Sequence, residues 1–184
     1  MRLVITQNST LDGVIEMSGD WFSPAGNDAE TADIRAELQS MMRREQAILL
    51  GRVTFESLRS YWPKQTGDTT GITDHLNVVR KYVVTKTLRE PSWDNTTLVS
   101  DPLLDAVRQL KATAGEDLGV TGSISLCHAL IDADLVDEYR LFVYPVVLGR
   151  GRRLFRDGLH VDRLALTATR RFESGIALLT YERR

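Results

Sequence analysis

Ala47-Ile48-Leu49-Leu50-Gly51-Arg52-Val53-Thr54-Phe55-Glu56 is an uncharged apolar run that stops on a glycine and passes at once into helix-forming sequence. Ala47 to Leu50 reads as a strand buried on both faces, the habit of a parallel sheet. Arg52 to Ser60 reads as a short helix, with Thr54 as its N-cap and Val53 and Leu58 as a hydrophobic staple. The same passage recurs at Leu118-Gly119-Val120-Thr121-Gly122-Ser123-Ile124-Ser125, where Ser123 caps a helix carrying Leu126, Cys127, Leu130 and Ile131. Unsatisfied N–H groups at a helix start, with the helix dipole, attract anions. Glycine lets a phosphate approach the backbone closely. Arg52 adds a planar cationic fork and Thr54 a hydroxyl donor. Two such turns at adjacent strand ends suit a dinucleotide, whose phosphates can be shared between them.

Nearer the N-terminus, Leu3 to Gln7 reads as a first buried strand, followed by a turn at Ser9-Thr10-Leu11-Asp12-Gly13-Val14-Ile15. Ser18 to Asn27 is loop-like, and Asp28 caps a helix with Ile34, Leu38, Met41 and Met42 on its inner face. Tyr61 to His75, rich in Gly, Pro and Thr, is expected to be loop. Lys81 to Thr85 and Thr97 to Val99 are the third and fourth strands. Asp101 caps a helix with Pro102 in its first turn and an inner stripe of Leu103, Val107 and Leu110. From Glu138 the period changes. Tyr139 to Val147, Leu164 to Arg171 and Ile176 to Tyr181 are strands, the last two joined by a turn at Glu173-Ser174-Gly175. Strands that alternate with helices and end in strands alone predict a mostly parallel α/β sheet with an antiparallel C-terminal edge and helices on both faces.

The 184 residues fit a single domain, 1–184, with no repeat and no linker. With 42% hydrophobic and 26% charged residues and a net charge of −2, nothing draws the chain toward nucleic acid or anionic membrane. No apolar run approaches the ~20 residues of a membrane helix, and the N-terminal apolar stretch is too short for a signal peptide. A cytoplasmic protein is therefore expected. Without a secretory signal, the sequons Asn8-Ser9-Thr10 and Asn95-Thr96-Thr97 count as chance matches. Cys127 is the lone cysteine and reads as a core residue. His75, His128 and His160 lie apart, without ligand spacing, so no metal is expected. Arg150, Arg152, Arg153 and Arg156 form a local basic run, read as a solvated loop rather than an RNA surface.

Gly51-Arg52-Val53-Thr54-Phe55-Glu56 closely resembles the Gly-Arg-x-Thr-x-Glu segment of dihydrofolate reductases. Thr10-Leu11-Asp12-Gly13-Val14-Ile15 resembles the Ser/Thr-Leu-Asp-Gly motif in the reductase domain of bacterial riboflavin-biosynthesis enzymes. Leu135 to Leu141, followed by Pro145-Val146-Val147-Leu148-Gly149-Arg150-Gly151, also looks like that domain. Over nearly its whole length the chain thus resembles the dihydrofolate-reductase-like superfamily, nearest the RibD C-terminal domain and its stand-alone homologues. The zinc deaminase that bifunctional members carry needs His-x-Glu and Pro-Cys-x-x-Cys, and neither occurs here.

The resemblance implies NADPH as cofactor and hydride transfer to a small heterocycle of the pteridine or ribosylamino-pyrimidine type. It implies that Gly51, Arg52, Val53 and Thr54 hold cofactor phosphates and that Val84, Thr85 and Lys86 face the adenosine half, with Lys86 toward a 2′-phosphate. Gly122, Ser123 and Ile124 would hold the pyrophosphate and flank the nicotinamide, where many family members have two adjacent glycines and this chain has Thr121-Gly122. Val14 and Ile15 would lie against the nicotinamide on a mobile loop. The helix carboxylate that binds pterin in dihydrofolate reductases falls near Arg35. Its nearest acids are Glu30, Asp33 and Glu37, and Asp33 is the substrate candidate. Asp12 either closes its own turn or meets substrate, and Trp21 either walls the substrate pocket or anchors its loop. No single general acid stands out. A homodimer through Glu138 to Val147 is also implied. The alternative function is a non-catalytic NADPH-binding or regulatory protein on the same fold.

Overall fold

The computed structural model describes residues 1–17, 21–22, 32–100 and 102–184. Along the chain run β1 (Arg2–Thr10), α1 (Ala32–Arg44), β2 (Glu45–Gly51), α2 (Arg52–Tyr61), α3 (Ile72–Val78), β3 (Arg80–Val84), β4 (Thr96–Val99) and α4 (Leu103–Ala112). They are followed by β5 (Asp117–Val120), α5 (Ile124–Asp132), β6 (Glu138–Tyr144), β7 (Leu164–Arg171) and β8 (Ala177–Arg183). The eight strands form one sheet in the order β4-β3-β2-β5-β1-β6-β8-β7. The first six in that order are parallel; β8 runs antiparallel to β6, and β7 antiparallel to β8. The expected mostly parallel sheet with an antiparallel C-terminal edge is therefore what the chain forms.

Alternation along the strands sends side chains to two faces. Leu3, Ile5, Ala47, Leu49, Leu118 and Val120 form a core with Val107 of α4 and with Leu126, Cys127, Leu130 and Ile131 of α5. Ile48, Leu50 and Val83 face the other way, against Phe55 of α2 and Leu76 of α3. On that same side Ile34 of α1 packs with Phe142, Phe172, Ile176 and Leu178. Charges are buried where they are paired, as such groups must be. Arg140 bonds Glu138 and reaches Asp117 at 2.8 Å. Lys81 Nζ donates to the carbonyls of Leu76 and Val79 at 2.6 and 2.9 Å.

Several local expectations change. Thr54 is not an N-cap: α2 starts at Arg52 with Gly51 in the cap position, because β2 runs straight into the helix. Val53 is consequently exposed, not stapled. The stretch from Tyr61 to His75 is not all loop. It holds a 3₁₀ turn at Trp62–Lys64 and the start of α3, whose entry is fixed by the Asp68 carboxylate accepting from the amides of Thr70 and Thr73, both at 2.8 Å. Pro102 takes the N-cap position of α4, before rather than inside its first turn. The expectations for Asp28, Glu30, Asp101 and most of Ser18 to Asn27 lie outside the described residues.

The strand β1 outruns one of its two neighbours. It pairs with β5 only from Arg2 to Ile5, yet pairs with β6 from Val4 to Thr10. The last part of β1 thus stands beyond the end of β5, beside the chain that leaves β5 toward α5.

Candidate functional site

In a parallel sheet the C-terminal strand ends and the helix starts that follow them gather along one edge. Here the exits of β2 and β5 are neighbours, because the strands pair directly. A Cβ added at Gly51 would lie 2.9 Å from Ser123 Cβ, and one at Gly122 would lie 3.1 Å from Thr54 Oγ1. The two turns read as anion-ready from sequence therefore meet. Gly122 has φ +155°, which side-chain-bearing residues rarely adopt, and the Gly122–Ser123 peptide is cis. Neither N-cap, Gly51 or Ser123, makes a side-chain capping bond. Ser123 does not cap as expected; its hydroxyl lies 3.3 Å from that of Ser125. Both helix starts keep their leading amides clear of side-chain caps.

Beside the β2 exit is a groove of about 360 Å³ lined by Arg52, Val84, Thr85, Lys86, Ser100 and Leu103. It brings Arg52 together with the three residues expected near the adenosine half. Thr85 is nearly buried, and its hydroxyl accepts from the amides of Thr87 and Leu88 at 3.1 and 2.9 Å, which shapes the loop above Lys86. Arg52 Nη1 lies 2.6 Å from Glu56 Oε2. Ser100 and Leu103, which sequence reading missed, arrive from the exit of β4. Ile124 packs on the core behind α5.

The other half of the edge is built from β1, β6 and the loops beyond them. The Thr10 hydroxyl donates to Asp12 Oδ1 at 2.6 Å and accepts from the Val14 amide at 2.9 Å. Asp12 also accepts from the amides of Leu148 and Gly149 at 3.2 and 2.8 Å. The Thr10 hydroxyl and the Gly149 amide hold its carboxyl down at about 2. Asp12 thus closes its own turn and straps it to the loop after β6. Glu16 adds a second strap to Arg152 at 2.6 Å. Val14 and Ile15 are 0% and 2% exposed. Their side chains fill the core, and the Ile15 amide is bonded to the Arg152 carbonyl at 2.9 Å. The loop expected to be mobile is tied at these points.

Trp21 packs edge-on to Tyr144 with ring centroids 5.4 Å apart, and Phe22 completes the corner. Its indole N–H donates to the Glu16 carbonyl at 3.2 Å, so it anchors its loop as well as forming a wall. Burial pushes the Tyr144 phenol up to about 12. Asp33 does not join this corner through its carboxylate: Oδ2 accepts from the Glu173 amide at 2.9 Å, in the turn between β7 and β8. Glu37 is paired with Arg170.

The remaining polar candidates lie elsewhere. Arg152, Arg153 and Arg156 each face a carboxylate, from Glu16, Asp12 and Asp132. Among the described residues no group of three or more His, Cys, Asp and Glu could hold a metal ion. Among them, too, no helix is long and apolar enough to cross a membrane. Burial raises the Cys127 thiol to about 12. A larger cavity, about 770 Å³, lies at the far end of the molecule, where Asp132 pairs with Arg156 and Asp134 with Arg183. Its charges neutralise one another and it has none of the glycine turns, so size does not make it the candidate site.

The sequence model of the RibD C-terminal domain matches residues 2–178. The chain belongs to the RibD C-terminal domain family. The Bacillus subtilis protein YyaP is 32% identical over 98% of this chain and 94% of its own length. YwjB of the same organism is 24% identical over 92% and 91%. Among solved structures, a putative riboflavin biosynthesis protein from Shewanella sp. PV-4 superposes with a TM-score of 0.74 at 21% identity, covering 100% of this chain and 99% of that one. A pyrimidine reductase-like protein from Corynebacterium diphtheriae gives 0.68 at 16%, covering 98% and 91%. Acinetobacter baumannii RibD gives 0.66 at 13%, covering 98% of this chain and 57% of that one. These structures share the fold, and membership of the RibD C-terminal domain family makes the role of this chain reductase-like.

Proposed function

We propose that this RibD C-terminal-type protein is an NADPH-dependent reductase of a small, flat, polar heterocycle of the pteridine or ribosylamino-pyrimidine type. The observation that carries the reading is the meeting of the two glycine turns. Gly51 abuts Ser123 and Gly122 abuts Thr54, so uncapped amides from two helix starts converge on one place. A diphosphate fits that arrangement, since each helix start offers N–H donors and the positive end of a dipole. A side chain at either glycine would fill the cradle. Arg52 and Thr54 would add charge-assisted and hydroxyl donors, and Ser123 and Ile124 would bound the nicotinamide end. The groove between Arg52, Thr85, Lys86 and Ser100 suits the adenosine half. Lys86 there favours a 2′-phosphate, and hence NADPH over NADH.

When bound, a reduced nicotinamide supplies a hydride equivalent. The protein binds the nucleotide by its phosphates, aligns the second ligand against the nicotinamide end and keeps water out. Trp21 and Tyr144 offer aromatic surface for a flat ring on the substrate side. We further propose a homodimer through the stretch from Glu138 to Val147, which light scattering would read directly.

The test is to mix the full chain with NADPH. Energy transfer from tryptophan to the nicotinamide and an upward thermal shift are expected, with a smaller shift for NADH. Neither signal at millimolar NADPH would remove the reading.

A further inference from the structure

Arg52 opens α2 directly after Gly51 and lines the groove beside the β2 exit. A long side chain that must be ordered when it grips a phosphate weakens its own contribution, because lost rotamers oppose binding. Here the ordering group is one helical turn away. Glu56 Oε2 lies 2.6 Å from Arg52 Nη1, and residues four apart share a helix face. The two side chains are 42% and 35% exposed, and an ion pair this open contributes little to stability. Its placement at the mouth of the groove gives it another consequence.

A guanidinium carries five N–H donors in a rigid planar fork. Nε and Nη2 form the edge that meets two oxygens of one oxyanion side by side. Arg140 spends that edge inside the protein, giving Nε to Glu138 and Nη2 to Asp117. Arg152 gives its Nε to Glu16 at 2.6 Å. Arg52 is held differently. Glu56 takes Nη1, and among the described residues Nε and Nη2 make no hydrogen bond. The carboxylate thus grips the fork by one tine and leaves its bidentate edge unused, beside a helix start that has no side-chain cap.

We infer that Glu56 is a positioning residue for the nucleotide: by holding Nη1 it presets Arg52 so that the Nε–Nη2 edge is offered to a phosphate in the cradle. The inference rests on the NADPH-reductase reading, which supplies that phosphate. Glu56 acts on a phosphate in two opposed ways. Its charge repels the anion through space, an effect that salt screens between groups as exposed as these. Its bond orders the cation that attracts the anion, an effect that depends on contact geometry and on Arg52 being present. Removing the acid therefore tightens binding if repulsion dominates and weakens it if positioning does, so the direction of the change separates the two.

The experiment is calorimetric titration of the full chain with NADPH, comparing wild type, Glu56→Ala, Glu56→Gln, Arg52→Ala and the double variant Arg52→Ala/Glu56→Ala, with thermal unfolding reporting that each folds. Glu56→Ala should weaken NADPH roughly fivefold, the scale of coupling between side chains in contact. Glu56→Gln should stay within about twofold of wild type, since its amide oxygen still accepts from Nη1. In the Arg52→Ala background the Glu56→Ala loss should vanish. A merely structural role in α2 would instead cost the same factor with and without Arg52. Unchanged or tighter binding by Glu56→Ala, a Glu56→Gln loss as large as that of Glu56→Ala, full affinity in Arg52→Ala, or an undiminished Glu56→Ala loss in the double variant overturns the inference and leaves the reductase reading standing. Failure of wild-type protein to bind NADPH brings down that reading and this inference with it.

Discussion

The two halves of the C-terminal strand edge use their hydrogen-bonding groups in opposite ways. Around Gly51 and Gly122, helix starts lack side-chain caps, glycines keep the space clear and a groove lies alongside. Around β1 and β6 the acids are committed: Asp12 to a hydroxyl and two amides, Asp33 to Glu173, Glu16 to Arg152 and Glu37 to Arg170. One half is left open for a ligand by its main chain. The other half is held shut by its carboxylates. An acid near an expected active site is thus no evidence of acid chemistry until its own bonds are counted.

Gly51→Val would break this contrast where it is sharpest. Gly51 has φ −75°, so valine meets no backbone strain; the effect is its Cβ, 2.9 Å from Ser123 Cβ. NADPH affinity should fall by roughly a hundredfold or more, with overpacking costing about 1–3 kcal/mol of stability. Calorimetric titration reads the first and urea unfolding the second. Retained NADPH affinity in a folded variant would mean that the turns do not form the cradle.

Lys86→Ala and Arg52→Ala sharpen the open half. Arg52 lies at the mouth of the groove and at the start of α2, so its loss should weaken NADPH and NADH alike, by about tenfold, or about 1.4 kcal/mol. Loss of Lys86 should cost a similar factor for NADPH alone. Parallel titrations with the two nucleotides measure it. Equal losses for both nucleotides in Lys86→Ala would take the 2′-phosphate away from Lys86.

The open half was legible in the sequence because its signals are local. A charge-free run, a glycine and a helix start can be read without knowing the fold, and Leu164 to Arg171 was bounded by composition alone. Other features depend on what packs beside them. Thr54 suits an N-cap by its side chain, but β2 runs directly into α2 and puts Gly51 there. The helix α3 has only seven residues, too few for a clear period, and it follows Gly71 in the left-handed conformation at φ +81°. Ser100 joins the groove only because β4 pairs with β3. Asp12 closes its own turn through Thr10, as its place before Gly13 allows, but the bonds that tie Asp12 to Gly149 and Asp33 to Glu173 are long-range, and no window around either acid contains them.

On the closed half the effects should be small, and their smallness is the expected result. Asp33→Asn should leave NADPH affinity within about twofold and cost about 1 kcal/mol through the weakened bond to the Glu173 amide. A large loss of activity with intact stability would restore Asp33 to the substrate. Asp12 gives the finest test, through pH. Its carboxyl sits at about 2 in the folded chain, below the ordinary ~4 of an unfolded aspartate. A depressed pKa means that the stabilisation is fully present above pH ~4 and is lost as pH falls through about 2. Wild-type protein should therefore lose stability across that window. Asp12→Asn should be less stable at pH 7 yet show a flatter curve below pH 4, because the group that titrates is gone. Urea midpoints at pH 7, 4 and 3 measure both. The same acid slope in the variant would show that the strap between the β1 turn and Gly149 contributes nothing to holding this half closed.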